Sequence, residues 1–165
     1  MSFATDERAF IKPAIADKLH SQALALADES RSYFAAHSKM DRAELGPIDR
    51  VLYTAESLRI STRLMHVISW TMVRKAYAAG EITLAEVSKP ERQLEDLDLC
   101  NASDPRDLRR LPRAVVILSH QSLNMYQRAL RLQNHMLDQQ EEGEAGAANP
   151  VASMLEGLEG ALELA

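Results

Sequence analysis

The stretch "ESLRISTRLMHVISW", Glu56 to Trp70, decides the fold because it carries two patterns at once. Extended in both directions, Val51, Ala55, Leu58, Thr62, Met65, Ser69, Met72 and Ala76 recur at alternating steps of four and three, an unbroken heptad seam of apolar and small side chains. Beside that seam, Glu56, Arg59, Arg63 and His66 form an ordered charged line. Such a line is either a ligand site or the polar edge of a helix buried on several sides, and the periodicity favours the second. Glu56 lies three residues before Arg59, the spacing of an ion pair along a helix; Arg63 extends the line, and Trp70 and Tyr77 continue it.

The seam assigns Leu58, Met65 and Met72 to the core or to a dimer contact. Arg and Trp are frequent interface anchors, so Arg59, Arg63 and Trp70 are candidate partner-docking residues. The plainer alternative makes them an amphipathic rim that holds helix or dimer register. Ile60, Leu64, Val67 and Ile68 lie outside the seam, which widens the uncharged arc well beyond the ~100° stripe of an ordinary surface helix. Two neighbours in a bundle cover part of that arc, and the remainder predicts a homodimer through this helix.

Working outward, the pattern predicts a helix over about residues 48–79, with Gly80 as its C-terminal stop. Upstream, Ile15, Leu19, Ala23, Leu26 and Ser30, then Tyr33 and Phe34, give one apolar stripe over residues 13–37. Pro13 suits a first turn, and Gly46 and Pro47 break the chain between the two helices. Downstream, Thr83 to Glu86 reads as a capping box before a short helix disturbed by Pro90, and Asp104–Pro105 as a second helix start. Val115, Leu118, Ser122, Met125, Ala129, Leu132 and Met136 trace a third long helix over about residues 112–139.

The expectation is therefore an all-α protein: an up-down-up three-helix bundle over residues 1–139, homodimeric, with a flexible acidic C-terminal tail over residues 140–165. In that tail Val151, Met154, Leu155, Leu158 and Leu162 sketch a weak amphipathic pattern, interrupted by Gly157 and Gly160.

Bulk properties agree with a helical domain. Of 165 residues, 46% are hydrophobic and only 5% aromatic, a profile poor in strand formers. The net charge of -5 is concentrated in residues 140–165, which hold six glutamates and no Lys or Arg, leaving the rest near neutral. That balance offers no electrostatic footprint for nucleic acid; the cluster Arg109, Arg110 and Arg113 reads as solvated helix surface. A lone cysteine, Cys100, precludes an intrachain disulfide and fits a reducing cytoplasm. Neither a secretory leader nor a membrane span is expected.

A search for chemistry ends without a catalytic motif. The five histidines form no i, i+4 pair, Asp17-x-x-His20 occurs once, and there is neither a glycine-rich phosphate loop nor a Gly-x-Ser-x-Gly turn. No metal, cofactor or nucleophile is expected. Histidine phosphotransfer is the sharper alternative, with His120 on the polar side of the third helix. Yet the four residues after it hold no Lys or Arg. A structural helical interaction module is the plain alternative.

"LADESRSYF" (Leu26 to Phe34) and "LYTAESLRISTRLMHVISWTMVRKAYAAGEIT" (Leu52 to Thr83), with Leu111–Pro112 before the last helix, resemble the regulator-of-CtrA-degradation family of bacteria over about residues 13–139. The resemblance implies a dimeric three-helix bundle with a flexible tail and no catalytic activity. It implies an adaptor or scaffold that delivers substrates to the ClpXP protease in cell-cycle-regulated proteolysis. The partners implied are the ClpX unfoldase, a response-regulator-type adaptor, a cyclic-di-GMP-binding adaptor and substrates such as transcriptional regulators. The implied location is the cytoplasm, with recruitment to the cell pole. One departure from the family pattern is Pro90, which falls where helix would be expected to continue.

Overall fold

The computed structural model describes residues 12–147, and side chains through residue 138. Its elements are α1 (Pro13–Glu44), α2 (Pro47–Ala78), α3 (Leu84–Val87), α4 (Pro105–Leu108) and α5 (Arg113–Ala147), with 3-10 turns at Pro90–Arg92 and Asp98–Cys100. No strand occurs among the described residues. One compact unit comprises residues 11–133 and a second takes up the chain from residue 134, so that α5 contributes to both.

α1 and α2 form an antiparallel hairpin. Pro13 and Pro47 occupy the opening turns, where a missing N–H is harmless. Three polar ties set the hairpin's register. Lys75 pairs with Asp17 at 3.3 Å, His20 Nδ1 bonds Thr71 Oγ1 at 2.8 Å, and Tyr33 and Tyr53 both donate to Asp41 Oδ2, at 2.8 and 2.9 Å. The Asp41 tie lies in a stretch without apolar periodicity, which explains why α1 continues to Glu44 rather than ending at residue 37.

α2 ends where Gly80 takes φ 75°. Gly80 N–H reaches the Tyr77 carbonyl and Glu81 N–H the Ala76 carbonyl, both at 2.9 Å, the pair of bonds of a Schellman stop. The capping box at Thr83 and Glu86 is present, as is the Asp104 cap, whose carboxylate accepts from Arg106 N–H. Pro90 opens a 3-10 turn, and the segment that follows is held by α5. Gln133 bonds both the N–H and the carbonyl of Leu94, at 2.7 and 2.8 Å, and the Tyr126 hydroxyl donates to the Glu95 carbonyl.

The buried stripes of α1 (Ala16, Leu19, Ala23, Leu26, Ser30) and of α5 (Val115, Leu118, Ser122, Met125, Ala129) follow the seams read in the sequence, although Ile15 is exposed. α5 also runs past residue 139 to Ala147. Residues 140–147, expected in the flexible tail, are therefore helical, in keeping with the helix-forming Gln, Glu and Ala around Gly143 and Gly146. The expected amphipathic pattern over residues 151–162 lies outside the described residues.

Candidate functional site: the two faces of α2

α2 carries a second heptad seam, Tyr53, Glu56, Ile60, Arg63, Val67, Trp70 and Arg74, and this is the seam it buries, together with Leu64 and Thr71. Tyr53, Ile60, Val67 and Arg74 follow Val51, Leu58, Met65 and Met72 by two residues, about 200° around the helix. Glu56, Arg63 and Trp70 follow Ala55, Thr62 and Ser69 by one, about 100°, so the two seams lie on roughly opposite sides. The apolar seam is thereby turned outward. Val51, Leu58, Met65 and Met72, spaced every seven residues, are 69%, 55%, 65% and 56% exposed, and Ile48 adds to them at 66%. Leu58, Met65 and Met72 thus lie outside the core of the chain, against the first of their two expected roles.

Arg63 and Trp70 require correction too. They are 0% and 2% exposed, so neither is available as a surface anchor. Arg59 is different: its side chain remains 33% exposed while Nη1 reaches Glu56 Oε2 and Ser103 Oγ, each at 3.4 Å.

The buried charges are satisfied from three directions. Arg63 Nε donates to the Cys100 carbonyl at 3.0 Å and Nη2 to the Asn101 carbonyl at 2.6 Å. Its Nη1 lies 3.3 Å from Ser122 Oγ, 3.4 Å from the Ser119 carbonyl and 3.5 Å from Glu56 Oε1. Glu56 in turn accepts hydrogen bonds from the Ser103 and Ser119 hydroxyls. Burial alone pushes the Glu56 carboxyl up, but the two serines, then Arg63 and Arg59, more than offset this and hold it below the ordinary carboxylate value. Burial lowers Arg63 despite Glu56 beside it. One network therefore fastens α2, α5 and the Cys100–Ser103 segment together.

About three turns beyond Arg63, Arg74 lies 4.5 Å over the Trp70 ring and donates to the Arg92 carbonyl and to Gln93 Oε1. Burial lowers it to about 10, still charged at neutral pH.

Arg59, Ser103 and Ser119 lead to a cavity of about 280 Å³ beside α4 and α5, lined by Leu108, Val116 and Leu123 together with Arg109 and His120. His120 is exposed, as its helical position suggested, but the fold brings Arg109 to the same cavity from eleven residues earlier in the chain. No local spacing rule reveals that pairing. The signal for the buried network, by contrast, was present: Ser119 and Ser122 put hydroxyls on the buried face of α5, where two charges need partners.

Among the described residues, no three His, Cys, Asp or Glu side chains converge to hold a metal ion, and no helix is long and apolar enough to cross a membrane. A family model described as a protein of unknown function (DUF1465) matches residues 7–162. No curated protein and no solved structure matches the chain.

Proposed function

The chain belongs to the DUF1465 family, proteins of unknown function, and we propose that it is a non-catalytic adaptor acting as a homodimer of three-helix bundles built from α1, α2 and α5. The observation that carries this reading is the outward apolar seam of α2. Four large apolar side chains at seven-residue intervals, Val51 to Met72, span about 32 Å of helix. The small residues Ala55, Thr62, Ser69 and Ala76 alternate with them, leaving room for a second helix to approach closely. Contiguous exposed apolar surface marks an interaction site. A second copy of α2 offers the same pattern about a two-fold axis.

The partner class comes from the resemblance of Leu26–Phe34 and Leu52–Thr83 to the regulators of CtrA degradation. On this reading the protein joins the ClpX unfoldase of ClpXP, a response-regulator-type adaptor, a cyclic-di-GMP-binding adaptor and substrates such as transcriptional regulators, in the cytoplasm and at the cell pole. It works by tethering, which raises local substrate concentration with no bond made or broken. Inward-facing Arg63 and Trp70 support the scaffold; outward residues such as Arg59 are left for partners.

The test is a tagged pull-down from the native cytoplasm, followed by degradation assays with purified components. Recovery of ClpX and a response-regulator adaptor, and faster substrate loss on addition of the chain, is the expected result. A soluble, expressed bait that recovers neither and leaves the degradation rate unchanged contradicts the adaptor reading.

A further inference from the structure

We infer that the cavity beside α4 and α5 is a docking groove for an acidic segment of a partner protein that inserts an apolar side chain. The inference names what the adaptor holds and rests on the adaptor reading, but its chemistry is local to one chain and uses none of the outward apolar seam of α2.

Size comes first. At about 280 Å³ the cavity falls below the roughly 300–1,000 Å³ of small-molecule sites; it suits one or two aliphatic side chains rather than a cofactor. Its walls match that cargo, with Leu108, Val116 and Leu123 supplying the apolar surface. Its rim carries Arg109, and no Asp or Glu is among the lining residues; the nearby Asp104 carboxylate is bonded to Arg106 and also feels the charge of Arg109. Arg106 is paired with Asp104 and Arg110 with Asp49. Arg109, which reaches the cavity, makes no ion pair within 4.0 Å among the described residues. Arg59 bonds Ser103 of the cavity wall at 3.4 Å and is itself paired with Glu56, whose charge Arg63 also engages. An apolar pit with the Arg109 guanidinium at its rim selects an apolar residue with carboxylates next to it, because those carboxylates gain charge-assisted hydrogen bonds there. A lysine-flanked segment meets repulsion there.

The test is fluorescence anisotropy of the full-length chain with a fluorescein-labelled peptide carrying two leucines among glutamates. A second probe replaces every glutamate with lysine, and a third replaces the leucines with serine. The acidic leucine peptide is expected to bind, the other two to bind at least about tenfold more weakly, and added salt to weaken the complex. Arg109→Glu, at an exposed position that leaves the fold intact, should cost at least about tenfold; Leu123→Glu should do the same by filling the pit with a charge. Equal binding of the acidic and basic peptides, or unaltered affinity in Arg109→Glu, overturns the groove. The adaptor reading is judged separately, by the degradation assay with wild-type chain.

Discussion

Arg63 and Glu56 are buried together, and the energetic meaning of that depends on their partners rather than on the ion pair alone. The Nη1–Oε1 separation of 3.5 Å is long, whereas Arg63's bonds to the Cys100 and Asn101 carbonyls are 3.0 and 2.6 Å. The guanidinium therefore acts chiefly as a clamp on the irregular segment after Asp98, and Glu56 balances its charge. Removing one member leaves the other as a buried, uncompensated charge. Arg63→Met should cost about 3–5 kcal/mol in urea denaturation, and adding Glu56→Gln to it should recover part of that loss; strictly additive losses would show that the two do not act as a unit.

The acid limb of stability carries the same signature. Because the folded Glu56 carboxyl titrates below its ordinary value of 4.5, its contribution is present above that value and is lost as pH falls through the lower, folded one. The Glu56→Gln variant should be less stable than wild type at neutral pH, with a gap that narrows below about pH 4.5. A constant gap down to pH 3 or so would assign the acid loss to other carboxylates.

Between residue and whole lies the element, and here legibility differed from helix to helix. α1 and α5 each carry one dominant apolar stripe, so Leu19, Ala23 and Leu26, or Val115, Leu118 and Met125, were readable as core directly from spacing. α2 carries two seams on roughly opposite sides, and spacing alone has no means of ranking them. Hydrophobicity ranks them in favour of Leu58, Met65 and Met72; the fold buries Glu56, Arg63 and Trp70 instead, because Ser119, Ser122 and the Cys100 and Asn101 carbonyls supply polar partners for Glu56 and Arg63. Those partners come from 37 to 63 residues away in sequence, beyond the reach of local patterns. End signals were more transparent. Gly80 was readable as a stop since only glycine takes a φ near 75° cheaply. With open space around it, Gly80→Ala should cost only the conformational strain of about 1 kcal/mol in thermal or urea unfolding. A neutral effect would mean that the α2–α3 connection relaxes to another turn.

At the scale of the whole molecule, the account turns on why a fold would bury charges and leave its most uniform apolar seam outside. Within one chain the arrangement wastes the hydrophobic gain of Val51, Leu58, Met65 and Met72, each worth about 1.5–3 kcal/mol when fully buried. In the proposed homodimer, two chains would recover it by placing their α2 helices together. On that proposal the buried network serves the fold within each chain, the outer seam would join the chains, and the groove near Arg109 would be left for cargo.

The most direct measurement is sedimentation equilibrium of the wild-type chain and of Met65→Glu, with circular dichroism on the same samples. Met65 is 65% exposed, so the substitution leaves the core of a single chain untouched while placing a charge in the middle of the seam. The account predicts a wild-type dimer and a Met65→Glu monomer of unchanged helix content. A wild-type monomer at micromolar concentration, or a Met65→Glu chain that remains dimeric, would contradict it.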